Sequence, residues 1–169
     1  SLRSINCKGD DRRTGSEVVF WGMNNSIPFP QANDINKVIT LVQAGDGIIE
    51  DKEKAKEVIK VGTPRQVSYY LSALQYLKYL GQNKKLTERA LKLKNSKSEL
   101  VSDIYNQLLE DKVFGKAYRD FKVTGKVDKD KVTSDLKKGN QRLSESTLKR
   151  RASTIQSWVE WMYKIDKEK

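Results

Sequence analysis

Thr63-Pro64-Arg65-Gln66-Val67-Ser68-Tyr69-Tyr70-Leu71-Ser72-Ala73-Leu74-Gln75-Tyr76-Leu77-Lys78-Tyr79-Leu80-Gly81 is the stretch whose reading decides the fold. A threonine ahead of a proline is a helix start, because proline at the first helical position lacks only an N–H that would have had no partner there. Val67, Tyr70, Leu71, Leu74 and Leu77 then recur at helical spacing, so the pattern predicts one long helix from 64 to about 80, stopped by Gly81. The opposite face carries Arg65, Gln66, Ser68, Tyr69 and Ser72. Beyond the glycine, Gln82-Asn83 reads as a turn into Lys84-Lys85-Leu86-Thr87, which suits a strand, a polar tip and a returning strand, with helical character resuming over 88–94.

Upstream, Ile35, Val38, Ile39 and Val42 mark a helix capped by Asn33 or Asp34 and ended by Gly45-Asp46-Gly47. Ile48-Ile49 reads as a short strand, and 51–60 as a second helix with Ala55, Val58 and Ile59 inward, broken at Gly62. Pro28 and Pro30 hold the chain extended, placing a boundary at 27–30. Residues 1–26 read as a polar N-terminal arm, or the tail of an upstream domain, with one apolar stretch over 18–21. Helix, helix, longer helix and small hairpin is the element order of a winged-helix domain, and Tyr79-Leu80-Gly81 with Leu86-Thr87 resembles the start of such a wing.

Downstream, Leu100, Val101, Ile104, Tyr105 and Leu108 give a helix over 98–109. A further helical turn over 113–121 is broken by Gly125. A short helix over 128–138 turns Val132 and Leu136 inward, and Ser144 caps a long helix to about 165. The two long helices superpose at an offset of 81 residues: Thr63 on Ser144, Val67 on Leu148, Leu71 on Ala152, Leu74 on Ile155 and Leu77 on Trp158. Ser72 likewise meets Ser153 and Gln75 meets Gln156, while the upstream match needs an insertion around 114–125. The expected fold is therefore mainly α with small β-hairpin wings, as tandem winged-helix-like domains over 27–95 and 96–169.

Leu143-Ser144-Glu145-Ser146-Thr147, followed by Arg150-Arg151-Ala152-Ser153-Thr154-Ile155-Gln156-Ser157-Trp158-Val159-Glu160-Trp161, resembles helix-turn-helix segments of type II restriction-modification proteins. Arg65-Gln66-Val67-Ser68-Tyr69-Tyr70 resembles the partner motif in the first repeat, and the similarity covers about residues 27–165. It implies a DNA-recognition module that works beside a nuclease domain or subunit. The chain departs from the pattern after Ile165, where Asp-Lys-Glu-Lys leaves no room for a second wing.

The residues themselves suit a duplex. Lys and Arg number 33 against 22 Asp and Glu, a net charge of +11 that favours a polyanionic partner. The excess is +1 over 1–30 (four basic, three acidic), +5 over 31–95 (twelve, seven) and +5 over 96–169 (seventeen, twelve). A recognition helix needs one apolar face for its own core and one polar face for the major groove, read near the helix start. Ser146, Thr147, Lys149, Arg150, Thr154 and Ser157 lie off the apolar stripe of the second long helix, with Arg151 at its border. Arg65, Gln66, Ser68, Tyr69 and Ser72 are their counterparts on the first, and Lys84 and Lys85 sit at the expected wing tip. A solvated basic face is the alternative for each cluster. Trp158, Trp161 and Tyr70 keep helical phase with aliphatic residues and read as core.

Much chemistry is excluded. The chain has no histidine and one cysteine, Cys7, so histidine-based nucleophile activation, zinc clusters and an internal disulfide are all absent. No glycine-rich phosphate loop occurs. Asp10, Asp11 and Glu17 could serve a carboxylate-only metal nuclease, but no lysine follows Glu17 on the adjoining apolar stretch, so no catalytic site, metal or cofactor is expected. No apolar run approaches the ~20 residues that cross a bilayer, and no secretory signal opens the chain, which suits the cytoplasm. Ser1 in place of methionine suggests a fragment. The expected function is double-stranded DNA binding as the recognition module of a restriction endonuclease or related restriction-modification protein. The alternatives are a protein-docking winged helix, which would show an exposed apolar patch, and a transcription regulator.

Overall fold

The computed structural model describes residues 29–139 and 142–168. The N-terminal arm, the apolar stretch over 18–21, the carboxylates Asp10, Asp11 and Glu17, and Asn140 lie outside the described residues. Nine helices make up the regular structure of the rest: α1 (Ile35–Ala44), α2 (Asp46–Ile49), α3 (Lys52–Ile59), α4 (Pro64–Tyr76), α5 (Glu88–Leu93), α6 (Lys97–Glu110), α7 (Lys112–Thr124), α8 (Lys129–Gly139) and α9 (Glu145–Glu168).

Their starts are written in the sequence. Asp34, Asp51, Thr63, Thr87, Ser96 and Asp111 each accept hydrogen bonds from the first-turn amides of α1, α3, α4, α5, α6 and α7. Ser144 does the same for α9, its Oγ taking the amide of Thr147 at 3.2 Å. Gly45 and Gly125 end α1 and α7 at φ of 91° and 81°, conformations that cost a residue with a Cβ.

The expectation of β-hairpin wings is corrected: among the described residues there is no strand, and the fold is all-α. Leu80 and Leu86 form one isolated antiparallel bridge. Both arms of the would-be wing are used by neighbouring helices. On the outgoing side α4 stops at Tyr76, earlier than expected, and Lys78 takes the left-handed conformation at φ 67° while the amides of Tyr79 and Leu80 fold back onto the Leu74 carbonyl. On the returning side Thr87 is already the N-cap of α5, and the Leu86 amide bonds the Asp46 side chain at 2.8 Å. One residue on each arm is left for pairing. The expected strand at Ile48-Ile49 is the helical turn α2, because the Gly45 carbonyl accepts from both of their amides. Val58, expected inward, is exposed (38%), while Ala55 and Ile59 are buried.

The helices form two three-helix units in the same order. In the first, α4 packs on α1 and α3; in the second, α9 packs on α7 and α8. The offset of 81 between α4 and α9 holds for packing: Val67, Leu71, Leu74 and Leu77 are buried, and so are Leu148, Ala152, Ile155 and Trp158. The turn at 95–96 precedes α6, which touches α1, α5 and α7, and buried side chains on both sides of it belong to one cluster. Phe29, Tyr76, Phe114 and Trp158 form an aromatic column through that cluster, with Phe114 stacked on Phe29 at 5.4 Å and on Trp158 at 4.9 Å. Carboxylates tie the units at their edges. Asp111 caps α7 and accepts the Tyr76 hydroxyl, Asp103 accepts the Tyr79 hydroxyl, and Asp166 accepts those of Tyr105 and Tyr118. Burial first, and then the adjacent carboxylate, push the Tyr76 and Tyr79 hydroxyls well above the ordinary tyrosine range, so they remain donors. No helix among the described residues is long and apolar enough to cross a membrane.

Candidate nucleic-acid interface

The unit α1, α3 and α4 sets a helix, a four-residue turn at 60–63 and a longer helix in succession. Lys60 makes the turn in the left-handed conformation at φ 58°. α4 begins with a reciprocal cap: the Gln66 amide bonds Thr63 Oγ1 at 3.3 Å, and Gln66 Oε1 accepts the amides of Gly62 and Thr63 at 2.7 and 3.2 Å. Gln66 therefore spends its carbonyl oxygen on the helix start, a role already legible in the Thr-x-x-Gln spacing. Arg65 is exposed. Its Nε donates to the Tyr69 hydroxyl at 3.2 Å and its guanidinium lies 6.0 Å from the centre of the Tyr69 ring. The half-buried tyrosine thus stiffens the exposed arginine through its Nε and leaves the two terminal nitrogens outside that bond. Ser68 donates back to the Pro64 carbonyl at 3.4 Å, and Ser72 is half-buried one turn on. Arg65, Ser68, Tyr69 and Ser72 follow the i, i+3, i+4, i+7 pattern of a single helix face. No carboxylate occurs anywhere in α4.

Lys84 and Lys85 are exposed at the turn beyond the far end of α4. The turn closes through the Gly81 amide on the Lys85 carbonyl (2.9 Å) and the Lys84 amide on the Gly81 carbonyl (2.9 Å). It is a tight loop in place of the expected wing tip. Cations therefore bracket α4, with Lys60 and Arg65 before or within its first turn and Lys78, Lys84 and Lys85 after its last.

The corresponding face of α9 is different. The extended segment 29–34 lies along it. Trp158 Nε1 donates to the Ala32 carbonyl at 2.7 Å, Thr154 Oγ1 to Asn33 Oδ1 at 2.7 Å, Asn33 Nδ2 to Ser153 Oγ at 3.2 Å, and Arg150 Nε to Gln31 Oε1 at 2.9 Å. Thr154, expected on the groove face, is fully buried. Arg151 is half-buried with its guanidinium 5.4 Å from the Phe29 ring centre, and its Nε is enclosed without a hydrogen-bond partner among the described residues. Burial holds its pKa below the usual arginine value. Ser146, exposed, and Thr147, half-buried, each lie within hydrogen-bond distance of Ser144 Oγ, and Thr147 Oγ1 also accepts from Arg150 at 3.3 Å. Lys149 is exposed with no hydrogen bond or ion pair among the described residues, and Arg150 is exposed but tethered.

Phe29, Gln31, Ala32 and Asn33 were missed as partners of α9. Their signal was weak: two prolines flag extended backbone, but nothing local says which helix it covers. Trp158, Trp161 and Tyr70 sit as the sequence indicates, the first and last buried and Trp161 half-buried against the core. Among the described residues, no group of three or more Cys, Asp or Glu side chains stands close enough to hold a metal ion.

Two successive three-helix units, each ending in a side-chain-capped helix and sharing one core, define the class of protein. The chain belongs to the family described as domain of unknown function DUF7226, whose family model matches residues 37–167 and so takes in both units. No curated protein matches the chain, and no solved structure does.

Proposed function

We propose that this chain binds double-stranded DNA, with α3, the turn at 60–63 and α4 acting as a helix-turn-helix and the start of α4 entering the major groove. The observation that carries the reading is the outer face of α4, which offers Arg65, Ser68, Tyr69 and Ser72 with no carboxylate in the helix. A chain with 22 acidic residues leaves this 13-residue helix free of them. The major groove admits one α-helix, and a forked guanidinium held by a neighbouring ring can bond both acceptors of a guanine edge. The helix N-terminus adds backbone donors for phosphate. Lysines at both ends of α4 supply backbone contacts.

The second unit takes a supporting part in this reading. Segment 29–34 covers the side of α9 that would otherwise face a groove, so the start of α9 offers Lys149 and Arg150 to the phosphate backbone. The role of recognition module in a restriction-modification system, beside a nuclease domain or subunit, rests on the resemblance of the two helix starts. A cytoplasmic location goes with that partner. Selection from random duplexes at two salt concentrations tests the reading. It expects one enriched motif and an affinity that falls steeply with salt. Failure to enrich any motif, with no binding even at low salt, contradicts it.

A further inference from the structure

Between α7 and α8 runs an open groove of about 350 Å³. Val113 and Ala117 of α7, Val132 of α8 and Val127 of the connection form its apolar lining, and Val123 stands at its lip with 86% of its surface exposed. Lys112, Lys116, Lys126 and Lys131 rim it. Two ion pairs span the gap, Lys116 to Asp135 at 2.8 Å and Lys131 to Asp120 at 3.2 Å, while Asp128 is engaged in capping α8. Lys112 and Lys126 have no ion pair among the described residues.

The first unit shows what fills the space between the matching helices. There α1 and α3 are joined through α2, which packs against both and buries Ile49, with Ile48 half-buried beside it. The stretch is Asp46-Gly47-Ile48-Ile49-Glu50-Asp51, an aliphatic pair between carboxylates. In the second unit the connection is only Gly125-Lys126-Val127-Asp128, too short for a helical turn carrying two large aliphatics.

We propose that the α7–α8 groove is a docking site for a short acidic segment of a protein partner, one that carries two adjacent large aliphatic residues and seats them as α2 seats Ile48 and Ile49. Its aliphatic pair covers Val113, Ala117 and Val132 and removes Val123 from water. Its carboxylates face Lys112 and Lys126, which gives the charge complementarity that selects an acidic segment over a neutral one. The site lies on α7 and α8 and shares no residue with the α4 face.

The test is titration of the ¹⁵N-labelled full chain with a blocked peptide of residues 44–52, followed by amide chemical shifts. Shifts concentrated at Val113, Ala117, Val123, Val127 and Val132 are expected, with a dissociation constant on the order of 1 mM. An Ile48→Ser/Ile49→Ser peptide should leave these amides unmoved. Val123→Asp, at an exposed position that does not endanger the fold, and Lys112→Glu/Lys126→Glu should each weaken binding at least about tenfold, the scale of about 1.4 kcal/mol. No groove shifts, equal shifts from the serine peptide, or unchanged binding in both variants would overturn the proposal. Shifts confined to α1 and α3 would place the peptide in the seat of α2 and overturn it as well. Concentration-dependent broadening of the groove amides without peptide would assign the groove to a second copy of the chain instead.

Discussion

Replacing Asp103 by alanine should cost about 1–4 kcal/mol of stability at neutral pH, and the cost should shrink in acid. Asp103 on α6 receives the Tyr79 hydroxyl, Arg89 through Nε at 3.0 Å and a terminal nitrogen at 2.7 Å, and Gln107 at 3.2 Å. Tyr79 is fully buried, so removing its acceptor strands a hydroxyl away from water, at about 1–3 kcal/mol. The Arg89 pair is partly solvated, with side chains 43% and 20% exposed, and adds no more than about 1 kcal/mol. Gln107 keeps its 2.7 Å bond to the Leu77 carbonyl and loses little. Burial alone would raise the Asp103 pKa, but the hydrogen bonds from Arg89 and Tyr79 and the Arg89 charge outweigh it and hold the carboxyl below the usual range. A depressed carboxylate contributes fully above the ordinary value near ~3.9, and that contribution is lost as pH falls through the lowered folded value. Urea denaturation of the native chain and Asp103→Ala, followed by tryptophan fluorescence at several pH values, reads the gap. It should be flat from about pH 5 to 8 and narrow below about pH 4. A gap within about 0.5 kcal/mol at pH 7, or one that persists unchanged into strong acid, would refute the reasoning.

Leu74→Ala and Ile155→Ala, at equivalent and fully buried positions of α4 and α9, should each lose roughly 2–5 kcal/mol in the same assay. Gly115→Ala should destabilise by about 1–3 kcal/mol, because an added Cβ would stand 2.4 Å from the Leu109 carbonyl oxygen; a gain, the usual result of alanine for glycine in a helix, would contradict the close approach of α6 and α7. Thr154→Val should cost about 0.5–1.5 kcal/mol by removing the bond to Asn33, and titration of a duplex should find its DNA affinity unaltered, since the hydroxyl is buried beneath segment 29–34.

Helix starts and apolar phase were the legible part of this fold. Thr63, Ser144, Asp34 and Asp51 announce their helices through local side-chain chemistry, and the stripe from Val67 to Leu77 buries as its period requires. The wing was misread because Leu80-Gly81 and Leu86-Thr87 have hairpin chemistry, while the competing events are Lys78 in a left-handed conformation, which its residue type does not signal, and Thr87 as the cap of α5, a use its chemistry allows equally. Ile48-Ile49 fails for a related reason: two β-branched residues suggest a strand, but no strand stands among the described residues to pair with them, and the Gly45 carbonyl organises them into a turn. At the candidate site, Arg65 and Tyr69 lie where periodicity puts them. Thr154 does not, because its solvent side is covered by Asn33, more than a hundred residues away in sequence, and helical phase carries no record of so distant a neighbour; Arg151, read at the border of the apolar stripe, is half-buried against Phe29.

The central claim is that DNA is read by α4 and not by α9, and a paired comparison tests it most directly. Duplex affinity would be measured against salt for Arg65→Ala/Lys84→Ala/Lys85→Ala and for Lys149→Ala/Arg150→Ala, with base preference measured for each single arginine variant. The α4 variant should flatten the log-log salt slope by about 2–3 units, and Arg65→Ala alone should relax preference at one base pair at a cost of roughly 1–3 kcal/mol. The α9 variant should lower the slope by no more than about 2 units and leave base preference intact. Loss of base preference in Arg150→Ala, with affinity and slope unchanged in the folded α4 variant, would contradict the account.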